Sequence, residues 1–289
     1  MIYVICGPTG SGKTETAIHL ANYLNAPIIN ADAFQIYKEM NIGTAKISKD
    51  DPNYKKHYLL DIKEPSENFS VMEYQKSFRE TVDELSKQYR DIVVCGGTGL
   101  YIRASIYDYV FEEHDPDDVS DLEQMDTEEL YELLKKLDPK ATETIHMNNR
   151  KRVIRAISIA RTSDQKKSDN ISSQKHEPIY PARFLMLSPN REQLYENINA
   201  RVDKMVQLGL VDEVKELLNK YQLSKTAQAA IGYKEVIDYL EQKMTFDECV
   251  ELIKKRTRNY AKRQVTFFKN QFPVEIYDSN DALLKAIER

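Results

Sequence analysis

The residues with the clearest chemistry stand at the start of the chain. Gly7-Pro8-Thr9-Gly10-Ser11-Gly12-Lys13-Thr14 satisfies the pattern G-x-x-x-x-G-K-[ST]. Glycines allow successive backbone N–H groups to wrap a phosphate, and the N-terminus of the following helix adds partial positive charge there. The Lys13 ammonium supplies a point charge and the Thr14 hydroxyl can ligate magnesium. Such a loop binds a diphosphate or a triphosphate. A chance glycine turn is the competing reading, but the flanks count against it. Ile2 to Cys6 reads as a buried strand, and Glu15 to Leu24 has helical periodicity.

A second chemical signal is a carboxylate, Asp32, just past the strand Pro27–Asn30. In a standard ATPase the strand Asp91–Cys95 would end in a magnesium-binding acid. Here it runs into Gly96-Gly97-Thr98-Gly99 instead, with no acid before Asp108. From its position alone, Asp32 can hold magnesium, pair with Lys13, or act as a general base.

The elements that must position these groups follow a strand–helix–strand rhythm. Met72–Arg90 reads as an amphipathic helix and Asp91–Cys95 as a strand, which argues for a parallel sheet covered by helices. The pattern changes near His114. Leu122–Leu137 and Arg150–Arg161 are helical, with no strand between them, and Thr162–Glu177 is a polar stretch that reads as a loop. Phe184–Leu187 restores a strand. Helices follow within Arg191–Tyr221, Lys234–Glu241 and Thr245–Asn270, and Val274–Tyr277 reads as a last strand. The expected fold is therefore an α/β P-loop core, residues 1–113 and 180–289, interrupted by a helical insertion at 114–179.

Composition narrows the class. The chain has 289 residues, 41% of them hydrophobic and 30% charged, as in a protein with a buried core. No apolar run reaches the roughly 20 residues of a membrane helix, and the first residues read as a strand rather than a signal peptide. Cys6, Cys95 and Cys249 are scattered, as are the five histidines. Neither set has zinc-ligand spacing, and a reducing cytoplasm is expected. The net charge is −5, yet its distribution is uneven. Ten acids and no lysine or arginine lie between Glu112 and Glu129, whereas Asn149–Arg161 and Lys254–Lys269 are strongly basic. Two basic stripes on an acidic protein suit a specific polyanion docked on one side.

Several further segments match one family in order. After the P-loop come NADAFQIYKEMNIGTAKIS (Asn30–Ser48), HYLLDIKEP (His57–Pro65), Phe69-Ser70-Val71 and VVCGGTGLYI (Val93–Ile102). LDPKATETIHMNNRKRVIRA (Leu137–Ala156), RVDKMVQLGLVDEV (Arg201–Val214), AIGYKE (Ala230–Glu235) and RTRNYAKRQVTFF (Arg256–Phe268) complete the series. Together they resemble the signatures of tRNA dimethylallyltransferases from the first strand to about Asn270. The resemblance implies that the P-loop holds the pyrophosphate of dimethylallyl diphosphate with Mg2+. The exocyclic amine of the adenosine 3′-adjacent to the anticodon then displaces that pyrophosphate. Asp32 would be the base, with Thr14 and Asp32 the candidate metal ligands. Thr9, Lys13, Thr14, Arg201 and Thr98 would neutralise the leaving group, and Gln35 would meet the flipped-out adenine.

The implied tRNA-binding residues are Gln35, Tyr37, Lys46, Arg150, Arg152, Arg256, Arg258, Lys262, Arg263 and Gln264. The insertion would clasp the anticodon stem-loop, and a monomer on RNA is expected. Two departures from the family pattern stand out: Ala33 where a serine is frequent, and Thr266-Phe267-Phe268 where Thr-Trp-Phe is usual. The rivals are an adenylate isopentenyltransferase acting on free AMP, a small-molecule kinase, and a non-enzymatic RNA-binding protein.

Overall fold

The computed structural model describes residues 1–111, 119–162 and 176–287. It divides into two compact units, Met1–Tyr107 with Pro178–Arg289, and Asp108–Glu177. Most of the loop expected at Thr162–Glu177, and the first part of the acidic run from Glu112, lie outside the described residues.

The larger unit is built on six parallel strands: β1 (Ile2–Cys6), β2 (Ile28–Asn30), β3 (His57–Tyr58), β4 (Ile92–Cys95), β5 (Ala182–Leu187) and β6 (Val274–Tyr277). Their order among the described residues is β3-β2-β4-β1-β5-β6. Strands β2 and β4 are buried along their whole length. That is how parallel strands covered by helices on both faces behave, and it is why their sequences are apolar runs without alternation. The helices of this unit are α1 (Lys13–Tyr23), α2 (Val71–Leu85) and α3 (Gly99–Ile106) before the insertion. After it come α7 (Arg191–Gln207), α8 (Leu210–Lys220), α9 (Lys225–Gln228), α10 (Tyr233–Leu240), α11 (Phe246–Gln271) and α12 (Asn280–Ile287).

Local chemistry sets the boundaries. Ser70 and Glu73 form a reciprocal cap that starts α2, and Thr245 with Glu248 does the same for the 26-residue α11. The helical stretch Arg191–Tyr221 is broken at Gly209, whose φ of 95° starts α8 as a separate helix. Strand β3 and the short helices α9 and α12 add to the expected elements; two to eight residues carry too little periodicity to announce themselves.

The second unit contains α4 (Ser120–Gln124), α5 (Thr127–Leu137), a 3-10 turn at Pro139–Glu143 and α6 (Arg150–Thr162). The single helix expected over Leu122–Leu137 is two, because the Asp126 side chain accepts from the Glu128 and Glu129 amides and begins a new helix. Leu122, Leu130, Leu134, Val153 and Ile157 form its core.

The sheet order positions the chemistry. Strands β2, β4 and β1 are neighbours, so the loops leaving their carboxyl ends lie side by side. Those loops carry Asp32, Gly96–Thr98 and the P-loop, at the edge where open α/β sheets bind ligands.

Candidate active site

A cavity of about 280 Å3 opens at this edge and is lined by Thr9, Lys13, Thr14, Asp32, Gln35 and Arg201, among others. The P-loop takes its shape from backbone conformations that a side chain resists. Gly10 and Gly12 sit at φ 81° and 87°, and Gly12 leads directly into α1. The Lys13 ammonium donates to the Pro8 carbonyl at 3.2 Å, folding back over its own loop. Ser11 is buried in the loop, and its hydroxyl has no protein partner.

Two buried cations, Lys13 and Arg201, share the cavity. Burial pulls the Lys13 ammonium below its ordinary pKa, and Arg201 nearby adds to that effect. Burial also lowers Arg201, with Asp32 opposing. The Arg201 guanidinium reaches the Thr44 carbonyl at 3.5 Å, while its Nε has no partner. Cations stripped of water and short of acceptors make a site that gains by receiving an anion.

Asp32 is held in a tight turn. Its Oδ1 accepts from Phe34 N at 3.0 Å and from Gln35 N at 3.4 Å, which leaves Oδ2 outside that turn. Thr98 completes the support: its hydroxyl accepts from the Ala33 amide at 2.9 Å, and its own amide donates to the Ala31 carbonyl. Thr98 does not line the cavity, and its side chain makes no cap to α3. In this structure it braces the Asp32 loop. Tyr260 on α11 also lines the cavity. Burial and the charge of Asp32 push its hydroxyl up to about 12, so it stays protonated and able to donate.

The residues expected on an RNA surface divide sharply. Gln264 is 6% exposed. Its Oε1 accepts from Thr9 N at 2.9 Å and its Nε2 donates to Gly97 O at 2.8 Å, so it ties the P-loop to the β4 loop. A Cβ on Gly97 would lie 2.3 Å from that amide nitrogen, which is why glycine stands there. Tyr37 is fully buried in the core. The Lys46 ammonium is engaged by Tyr37 O and Asp61 Oδ1, both at 2.6 Å. Arg150 donates to the carbonyls of Leu122 and Glu123, closing the end of α4 within the second unit. In this structure Tyr37 is packed in the core and the other three are bonded to protein groups.

Arg256 is paired with Glu235, whose side chain is 1% exposed, and Arg258 donates to Asn199 Oδ1 at 2.6 Å. Arg152, Lys262 and Arg263 are exposed, and Arg263 also lines the cavity. Gln35 is at the cavity, with Nε2 donating to Thr44 O at 3.1 Å.

The reasons for these differences are tertiary. A basic helix face looks alike in sequence whether its cations meet solvent or buried carboxylates. Glu235 also accepts from Gly232 N at 2.6 Å, so removing Arg256 leaves a buried carboxylate without its cation. Arg256→Ala is expected to lower stability by roughly 2–3 kcal/mol, read as a lower urea midpoint at unchanged slope. Loss of tRNA affinity with no change in that midpoint would return Arg256 to the RNA surface.

Comparisons with known proteins agree in one direction. A model of the IPP transferase family matches residues 35–271. The tRNA dimethylallyltransferase of Anoxybacillus flavithermus is 43% identical over 282 residues, covering 97% of this chain and 91% of its own. That of Bacillus licheniformis is 43% identical over 283 residues, 96% of this chain and 90% of its own. Among solved structures, a tRNA isopentenylpyrophosphate transferase from Staphylococcus epidermidis matches with a TM-score of 0.73 at 34% identity, over 99% of this chain and 97% of its own. A eukaryotic dimethylallyltransferase acting on tRNA matches with a TM-score of 0.84 at 26% identity, over 99% of this chain and 77% of its own.

Proposed function

Because this chain belongs to the IPP transferases, the family of the tRNA dimethylallyltransferases, we propose that it modifies the adenosine 3′-adjacent to the anticodon in tRNAs reading U-starting codons. The donor is dimethylallyl diphosphate. A C–N bond forms between the exocyclic amine and the allylic carbon, the C–O bond to the diphosphate breaks, and pyrophosphate leaves. The observation that supports this reading best is the meeting of Lys13, Arg201 and Asp32 in one cavity.

The roles follow from what each group can do. An aromatic amine is a poor nucleophile, and its proton must go somewhere as the new bond forms; Asp32 takes it. The charge that develops on the leaving pyrophosphate meets Lys13, Arg201 and the P-loop amides already in place, in a site where water does not weaken them. Thr98 and Gln264 keep the three loops in register, so that base and cations face one another across the cavity.

The donor set at this edge fits magnesium. Thr14 and Asp32 offer hard oxygens on one cavity, and Mg2+ is commonly held by one or two such ligands with substrate phosphates and water. Bound there, it would neutralise phosphate charge. A carboxylate spent on the metal loses basicity, so with Asp32 as base the metal would rest on Thr14, the diphosphate and water. Lys262 and Arg263 on α11 are exposed cations able to meet phosphates of the anticodon stem-loop, and the second unit offers Arg152.

The test is direct. The protein is incubated with Mg2+, dimethylallyl diphosphate and either unmodified tRNA or AMP, and nucleosides are analysed by mass spectrometry. Isopentenyladenosine from tRNA alone, abolished by EDTA, is the expected result. Product from AMP alone would transfer the assignment to adenylate prenylation. Consumption of ATP without prenylated product would show that the P-loop holds a different ligand.

A further inference from the structure

A carboxylate well separated in sequence organises the loop that carries Thr44. Glu213, half-buried in the first turn of α8, accepts from three successive amides: Asn41 N at 3.0 Å, Ile42 N at 2.7 Å and Gly43 N at 3.1 Å. The Tyr233 hydroxyl of α10 donates to the same carboxylate at 2.6 Å. The loop is also pressed onto that ring, since a Cβ on Gly43 would lie 2.4 Å from Tyr233 Cε2. Four donors on one anion, each charge-assisted, make a rigid clamp.

What the clamp fixes is the next residue. The Thr44 carbonyl faces the Gln35 amide at 3.1 Å and the Arg201 guanidinium at 3.5 Å. A carbonyl only accepts, so Gln35 must turn its NH2 toward Thr44 however its amide is assigned. The oxygen Oε1 is then left as the group Gln35 can offer to the cavity it lines.

The geometry points to Glu213 as a positioning residue that sets the polarity of Gln35. Through the Asn41–Thr44 loop it makes Gln35 an acceptor for the exocyclic N–H of the incoming base and not a donor to a keto oxygen. This rests on the proposed function, and adds that the choice of an amine-bearing purine over a keto purine is made by a carboxylate that touches neither substrate. A site whose polar groups are committed to one pattern rejects the opposite pattern, because a mismatched base leaves two acceptors facing each other.

The experiment measures binding of anticodon stem-loop RNAs carrying adenosine or inosine at the acceptor position, in the presence of Mg2+ and inorganic pyrophosphate. Wild type is expected to favour adenosine by roughly tenfold or more. Glu213→Gln replaces two accepting oxygens by one and turns an NH2 toward backbone donors. It is expected to bring the preference to within about twofold and to lower kcat/KM about tenfold, with pyrophosphate affinity unchanged. Gln35→Ala should lose the same preference, and Glu213→Gln added to it should remove no more, since one residue acts through the other. A preference retained in Glu213→Gln, or losses that multiply in the double variant, would overturn the inference. Equal weakening of pyrophosphate and RNA would reduce Glu213 to a purely structural role. Should Glu213→Gln fail to fold, Tyr233→Phe keeps the ring and removes one donor, and a preference still at the wild-type level in it would count equally against the clamp. Wild type yielding no prenylated tRNA would instead sink the reaction on which the inference rests.

Discussion

Asp32→Ala is expected to lower kcat by roughly 10²- to 10⁴-fold, the range of a positioned general base, while tRNA affinity stays close to wild type. Two jobs meet at one edge. In the proposed reaction Asp32 takes the amine proton, and its Oδ1 is already committed to the Phe34 and Gln35 amides. Its side-chain hydrogen bonds run to its own turn and not to Lys262 or Arg263 of α11, so docking through those cations is expected to survive its loss. Asp32→Asn is the sharper variant: an amide oxygen can still accept those two backbone bonds, keeping the turn, but cannot take the proton. Single-turnover rates alongside filter binding check both halves. A variant that loses RNA binding in proportion to rate would make Asp32 a docking residue, and one that keeps its rate would remove it from the chemistry.

Lys13→Ala should act on the other substrate. Lys13 is a cation held at the cavity with reduced water, and burial holds its pKa below the ordinary lysine value. Charge-assisted hydrogen bonds of this kind contribute about 1.5–3 kcal/mol each, so affinity for dimethylallyl diphosphate is expected to fall about 10- to 100-fold. The KM for tRNA should stay nearly unchanged when the donor is saturating. Calorimetry with a non-reactive diphosphate measures the loss without relying on turnover. Unchanged diphosphate affinity would show that the loop grips something else. Because Arg201 shares the cavity and pushes Lys13 further down, Arg201→Ala should couple with Lys13→Ala, the double variant departing from the sum of the singles.

The two predictions depend on side chains that bridge the loops of the site. Gln264 holds the P-loop against the β4 loop, and Thr98 holds the β4 loop against the loop of Asp32. Three strand ends are thereby locked edge to edge. This matters because the reaction needs its base and its cations placed relative to each other, and a displacement of about 1 Å is enough to cost a large factor in rate. The buried Gln264 amide shows how such a lock is made: one oxygen and one nitrogen on a flat group, each facing a backbone partner of the opposite kind.

The parts that chemistry writes locally are legible in the residues. The glycine spacing and Lys13-Thr14 declared a phosphate loop, since only glycine adopts the positive φ angles found at Gly10 and Gly12 without strain. Apolar runs at Ile2–Cys6 and Ile92–Cys95 declared a parallel sheet, because strands buried on both faces carry no alternation. The motif series declared the family. Which polar side chains are already engaged by the protein is set by the packing of distant segments. Tyr37, Lys46, Arg150, Arg256 and Gln264 stand in motif segments that read as an RNA surface, yet each is spent on core packing, an ion pair or a backbone bridge. Glu213 is the reverse case: an acid in the first turn of a helix looks like a partner for the helix dipole, and its true partners, Asn41 to Gly43, lie some 170 residues earlier. A side chain's type states what bonds it can make. Only the packing of distant segments states which of those bonds are already made, and a group is available for function only with the bonds left over.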